Sequence, residues 1–496
     1  MHTNYRFSLE IIKNKWLQTP SHSLKKYDKL YRIIKECIIN AELLNHWLLP
    51  STRLLSETLN ISRTTVIKAY ELLLLEKLIV SKRGSGYQIS FENITIKNKQ
   101  QKTHDGAKTY QGLSVKAQSF VNNYSLINRD TQTFITFRPG LPPLDIFPVN
   151  KWKNLKNKYW QHIKSSSLSY SEASGLKSLK ESIKNYLYVS RGIRCDNEQI
   201  IILSGSLQSL YLISNALINS GDTVVLENPT FPNVHSVFKS IQANIIPIPI
   251  NHKGIDLEHL ENLNITAPKV IHTTPSNHYP LGARMSLKRR KKLLNYASKN
   301  KSIIIENDYE NEIGNHYKKL PTIFSLDTEN RTVYMGTFNR LLHPSIRLGF
   351  MVVPHYLINA VNAIQEHSHR FVAPSMQLVM SQFIDCNYLY KHIQTVIEIS
   401  KQRHQQFTEA FKDITTMKLH NTEFCSLHLV ATFTKPYSKT IEEDTIMKLK
   451  NLEITAFPLS KCYLTKQHKK GLIFGYASAR SNILNKKLIN LKNIIE

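Results

Sequence analysis

Three short runs hold side chains whose types and spacing could do chemistry. The first is Ser62-Arg63-Thr64-Thr65, with Lys68 one turn further on. Hydroxyls and cations on the opening turns of a helix can read base edges in a major groove, and Arg63 could pair bidentately with guanine. Arg53, in the helix before, could reach a phosphate or a base. The second run is Lys82-Arg83-Gly84-Ser85-Gly86, where cations sit on a flexible backbone. It fits a hairpin tip approaching a minor groove or a sugar-phosphate chain. The third is Gly205-Ser206, placed where the β-branched run QIIIL gives way to the helical run LQSLYLISNAL. Backbone N–H groups at such a turn can hold a phosphate.

These residues need elements to position them. Leu30, Ile33, Ile34 and Cys37 follow the spacing of an amphipathic helix. Ser51 is placed to cap a short second helix that Asn60 closes, and Ser62 to cap a third with a stripe of Val66, Ala69, Tyr70, Leu73 and Leu74. LIVSK, the turn RGSG and YQIS read as a two-stranded wing. This domain takes in residues 1–90. Residues 91–135 are polar and weakly periodic and read as a linker. From 136 to 496, the runs QIIILS, TVVLEN, NIIPIPI, KVIHTT, SIIIEN and TVYMGTF alternate with amphipathic segments. The expected class is α/β, a mostly parallel sheet covered by helices, with a smaller C-terminal α+β subdomain from about residue 355.

Composition narrows the partners. The 496 residues carry a formal charge of +28, which favours nucleic acid, but only 14 Lys/Arg against 7 Asp/Glu fall in residues 1–90. Much of the excess is a Lys-rich bias along the whole chain. The five cysteines are odd in number and scattered, with no metal spacing, so a reducing cytoplasm is expected. No apolar run is long enough for a membrane span, and no secretory signal opens the chain.

The run LPSTRLLSETLNISRTTVIKAYELLLLEKLIVSKRGSGYQIS resembles the winged helix-turn-helix of GntR-type bacterial regulators. The resemblance implies DNA contacts at Arg53, Arg63, Thr64, Thr65 and Gly84, to which the reading of the helix start and the wing adds Ser62, Lys68, Arg83 and Gly86. FRPGLPPLDIFPVNKW, YSEASGLKSLKESI, LSGSLQSL, LENPTFP, TTPSNHYPLGARMS, IIENDYENEI and YMGTFNRLLHPSIRLGFMV resemble a fold-type-I aminotransferase, the domain joined to such a head in MocR/GabR-type regulators. That resemblance implies a pyridoxal phosphate site. Gly205, Ser206, Thr337 and Arg347 match phosphate positions, and Tyr170 the one that reaches in from a partner subunit. Phe231 would stack on the ring, and Tyr309 would bond its hydroxyl. It also implies a homodimer bound to double-stranded operator DNA, and a small-molecule effector.

Two positions depart from the family. Its GTFSK motif ends in the lysine that binds the cofactor as a Schiff base; here it reads Gly336-Thr337-Phe338-Asn339-Arg340. A guanidinium stays protonated and offers no nucleophilic amine. Its E-D-D-Y motif pairs the first Asp with the pyridine nitrogen; here it reads Glu306-Asn307-Asp308-Tyr309, and neutral Asn307 supports a pyridinium poorly. The expected protein is a DNA-binding regulator whose aminotransferase-like domain is catalytically silent and senses pyridoxal phosphate or a related phosphorylated ligand without a covalent link. An empty pocket, with Arg340 paired to Asp308 or Glu306, and an active aminotransferase with an accessory domain are the alternatives. Arg480 is the one candidate for the family's substrate-carboxylate arginine.

Overall fold

The structure of the chain, a computed structural model, describes residues 4–19, 25–82, 86–90, 112–127, 134–314, 320–420, 422–435, 438–465 and 469–495. Contacts divide the chain into two units, Met1–Gly112 and Leu113–Glu496.

The first unit holds α1 (Asn4–Gln18), α2 (Lys26–Ile39), α3 (Thr52–Leu59) and α4 (Arg63–Leu75), then the hairpin β1 (Ile79–Lys82) and β2 (Gly86–Ile89). Ser51 caps α3 by accepting from the Leu54 N–H, and Ser62 caps α4 by accepting from the Thr65 N–H. Asn60 ends α3 in the left-handed region, at φ +49°, a conformation asparagine tolerates. Leu30, Ile33, Ile34 and Cys37 of α2 pack on Val66, Ala69, Tyr70 and Leu73 of α4, while Leu74 is only half-buried. The Tyr70 hydroxyl, buried among them, donates to the Pro50 carbonyl at 2.8 Å. Two features extend the expected outline. Helix α1 adds Ile12 to this core, and residues 46–49 pair with β2 through the Leu49 N–H on Tyr87 and the Ile89 N–H on Trp47. Arg83 and Gly84 lie outside the described residues.

The linker expectation for 91–135 is corrected in part. Val115–Asn123 forms a helix, α5, capped by Ser114 and belonging to the second unit. Phe120 meets the Tyr211 ring at 6.0 Å, and Ser236 donates to the Asn123 carbonyl. One aromatic side chain anchors a segment that is otherwise too polar to show a stripe.

After α5 the second unit continues with α6 (Val149–Gln161) and α7 (Lys177–Arg191). Its main sheet contains β3 (Ile200–Leu203), β4 (Thr223–Asn228), β5 (Asn244–Asn251), β6 (Gly254–Ile255), β7 (Val270–Thr273), β8 (Ile303–Asn307), β9 (Thr332–Thr337) and β10 (Gly349–Val352). Their order is β3-β10-β9-β8-β7-β4-β5-β6. The pairs from β9 through β8, β7 and β4 to β5 are parallel, whereas β10 runs antiparallel between β9 and β3. β3, β7, β9 and β10 are buried along their whole length, which accounts for their near-continuous β-branched and aliphatic sequence. A second sheet, ordered β11-β12-β14-β13, holds β11 (Met417–His420), β12 (Leu429–Phe433), β13 (Phe457–Pro458) and β14 (Gly471–Phe474). Phe137 enters the core under this sheet, and its carbonyl accepts from the Gly475 N–H at 2.7 Å. That core is therefore built from both ends of the unit. Among the described residues no helix is long and apolar enough to cross a membrane.

Candidate functional site

On the first unit, the third-helix residues form one local surface. Arg63, Thr64 and Lys68 are exposed and Thr65 is half-buried. The Ser62 hydroxyl lies 2.9 Å from the Thr64 hydroxyl and 2.7 Å from that of Thr65. The Arg63 Nε donates to Thr52 Oγ1 at 3.2 Å, tying the start of α4 to the start of α3. Arg53 pairs with Glu57 one turn along, both strongly exposed; such pairs contribute little to stability. Gly86, at φ +84°, opens β2 opposite Lys82.

In the second unit the site is assembled from the C-terminal ends of four strands, where open α/β sheets place ligands. β3 leads through Gly205 into α8 (Ser206–Leu217), and β4 leads through Phe231 into α9 (Pro232–Ser240). β8 ends at Asn307, just before Tyr309, and β9 ends at Thr337, just before Arg340. Ser206, Phe231, Asn307, Tyr309 and Arg340 line one cavity of about 50 Å³.

Arg340 dominates this cavity. Its guanidinium carbon stands 5.6 Å from the Phe231 ring centre and 5.5 Å from that of Tyr309, in range of cation–π attraction. Gly140, at φ +78°, makes room on the other side: a Cβ there would fall 1.2 Å from Arg340 Nη1. The nearest carboxylate is Glu310, whose Oε1 lies 3.9 Å from Nη1. The two acids proposed as partners from sequence are engaged elsewhere. Asp308 meets buried Arg191 at 3.3 Å and accepts from Tyr334 and Asn311. Glu306 accepts from the Ile323 and Phe324 N–H groups, with Arg290 at 3.8 Å, and burial pushes its carboxyl up to about 7.

The neighbouring polar atoms are unevenly satisfied. Asn307 Nδ2 lies 3.4 Å from His272 Nε2, while Asn307 Oδ1 and the Tyr309 hydroxyl are buried without a hydrogen-bond partner. Burial pushes His272 down to about 3, so the imidazole is neutral. Thr337 Oγ1 is used by its own turn, accepting from the Asn339 N–H at 3.2 Å, and Asn339 Oδ1 accepts from the Leu348 N–H at 3.0 Å. The Asn339 amide leans on Gly205, where a Cβ would fall 2.7 Å from its nitrogen.

Other expected residues stand apart from the cavity. Arg347 is exposed at φ +51°. Tyr170 is 81% exposed and lies under Arg370 at 5.2 Å. Arg480 is exposed; buried Arg403 holds Asp145 in a bidentate pair at 3.0 and 2.7 Å instead. The sequence reading passes over Glu310, His272 and the contact between Gly140 and Arg340. Only the glycine in FRPG, in a chain with 16 glycines, hinted at a close approach.

Comparison with known proteins gives these units relatives. The aminotransferase class I and II profile matches residues 135–448, and the profile of bacterial regulatory proteins of the gntR family matches residues 26–89. The chain is 27% identical over 470 residues to the probable rhizopine catabolism regulatory protein MocR of Rhizobium meliloti, covering 94% of this chain and 92% of that one. It is 28% identical over 470 residues to the uncharacterized HTH-type transcriptional regulator YdeL of Bacillus subtilis, covering 94% and 96%. A kynurenine aminotransferase of Pyrococcus horikoshii shares the fold, with a TM-score of 0.67 and 24% identity over 79% of this chain and 98% of that one. The chain belongs to the aminotransferase class I and II family, as a MocR-type regulator in which a gntR-type winged helix-turn-helix precedes the aminotransferase fold.

Proposed function

We propose that this protein regulates transcription by binding operator DNA through α3, α4 and the wing, while its aminotransferase-like unit performs no transamination. The observation that carries the second half is Arg340. It stands at the motif position of the reactive lysine, over the two rings that would face a cofactor, and none of the residues lining the cavity is a lysine. A guanidinium that keeps its proton cannot form the covalent link.

Pyridoxal phosphate is the cofactor the fold family implies. The free Tyr309 hydroxyl and the Asn307 carbonyl oxygen are the kind of groups that would meet its ring. The space does not fit it. About 50 Å³ falls well short of the roughly 300 Å³ and more of an ordinary small-molecule pocket, and the arginine occupies the face of both rings. In this reading a phosphorylated vitamin B6 form binds noncovalently only after Arg340 swings out. The chain works as a cytoplasmic homodimer, which would place two copies of α4 on paired half-sites; exposed Tyr170 is the residue the resemblance assigns to the subunit boundary.

The test is selection of duplex DNA from a random pool by the full chain, alongside an amino-donor half-reaction assay. An enriched motif that Arg63→Ala no longer selects, with no turnover, is expected. Turnover by the parent protein would restore the active-aminotransferase reading.

A further inference from the structure

We infer that Arg340 is the receptor for a small oxyanion, a carboxylate or phosphate group, held in the cavity beside Phe231 and Tyr309. This rests on the reading of the large unit as a noncovalent sensor and names the chemistry of what it senses.

Glu310 Oε2 accepts from Asn277 Nδ2 at 2.9 Å, from the Ser426 hydroxyl at 3.0 Å and from the Leu427 N–H at 3.3 Å. That oxygen is committed to three donors other than Arg340.

What Glu310 offers Arg340 is its other oxygen, Oε1. The 3.9 Å separation is already too long for a charge-assisted hydrogen bond. Asp308 and Glu306 are committed to Arg191 and to backbone N–H groups with Arg290. Among the described residues Arg340 donates no hydrogen bond, although its side chain is only 19% exposed. A largely buried cation whose five donors lack acceptors calls for an anion.

The cavity supplies the rest. The Tyr309 hydroxyl, 5% exposed and without a partner, can donate to an oxyanion, and Ser206 opens the 12-residue α8 toward the same space. Asn307 is neutral where an aspartate would repel a negative ligand. Both departures from the family motif therefore act in one direction. One keeps a cation and multiplies its donors; the other removes a negative charge beside it. A volume of about 50 Å³ takes a few waters or an anionic headgroup, not a ring with its phosphate.

The test is calorimetric titration of the full chain, at constant ionic strength, with inorganic phosphate and separately with acetate. At least one should bind once per chain, and which one tells phosphate from carboxylate. Arg340→Gln should weaken that binding about tenfold or more. If Arg340→Gln does not fold, Arg340→Lys replaces the planar fork by a point charge and should weaken binding by about threefold or more. The inference is overturned if neither anion binds or if the Arg340 variant binds like the parent. Operator affinity with and without the anion separates this claim from the one beneath it. Anion binding that leaves operator affinity unmoved keeps the receptor and removes the sensor. Operator affinity that responds to pyridoxal phosphate while neither anion binds does the reverse.

Discussion

The two units use arginine in opposite ways. On the head, Arg63 and Arg53 are exposed and held by single weak partners, Thr52 and Glu57. Their guanidiniums remain available to an external acceptor at little cost. In the large unit, Arg340, Arg191, Arg290 and Arg403 lie inside the protein. Three of them are satisfied by carboxylates or carbonyls; Arg340 is the exception. An arginine that donates no hydrogen bond is ordinary on a surface and demands explanation in a cavity. That contrast separates a surface open to DNA from a cavity that holds a cation without a hydrogen-bonded acceptor.

The contrast can be broken most forcefully at Arg191. Its buried pairs with Asp308 and Glu312 leave two carboxylates exposed to the interior if it is lost. Arg191→Met should cost the large unit about 3–5 kcal/mol, read as a lowered unfolding transition in calorimetry of the full chain, with the head's transition unchanged. The counterpart on the head is Ile34→Ala, which opens the core between α2 and α4 at a cost of about 2–5 kcal/mol. It should abolish DNA binding in a mobility-shift assay while leaving the large unit's transition in place. Next comes Arg63→Ala, expected to weaken binding to a selected operator by about 1–3 kcal/mol through lost base contact, with no change in melting temperature. A melting temperature lowered by several degrees would mean Arg63 serves the fold instead.

The gentlest probe is pH. His235, His272, His404 and His428 of the large unit are pushed by burial from 6.5 to between about 3 and about 4. Below the unfolded value of 6.5 the unfolded chain binds protons that the folded one refuses, so stability falls as pH drops from 6.5 toward 4. Glu306 and Glu310 are raised and act oppositely over part of that window, but four histidines outnumber two carboxyls. The head's one described histidine, His46, is exposed. Chemical denaturation at pH 7 and pH 5 should therefore weaken the large unit's transition and spare the head's.

Much of the head was legible because its signals are local. The caps Ser51 and Ser62, the stop at Asn60 and the α2 and α4 stripes all act within a few residues. Helix α1 escaped because its buried positions, Ser8 and Ile12, form too thin a stripe to read. α5 escaped for the same reason, its anchoring Phe120 lying alone in a polar run. In the large unit the strands were legible from their β-branched runs, and Ser206, Phe231, Asn307, Tyr309 and Arg340, singled out by the motifs, line one cavity. Arg340's surroundings were not legible. Its room comes from Gly140, 200 positions earlier, and the other oxygen of its nearest carboxylate, Glu310, is held by Ser426, more than 100 positions further on. Such contacts exist only once the sheet has brought the strand ends together.

The central claim is that the large unit cannot hold pyridoxal phosphate covalently because Arg340 has replaced the amine and filled its place. The full chain is incubated with pyridoxal phosphate, reduced with borohydride, digested and analysed by mass spectrometry, beside Arg340→Lys treated in the same way. The account predicts no stoichiometric adduct on the parent chain and one at position 340 of the variant. A stoichiometric adduct on a single lysine of the parent would contradict it.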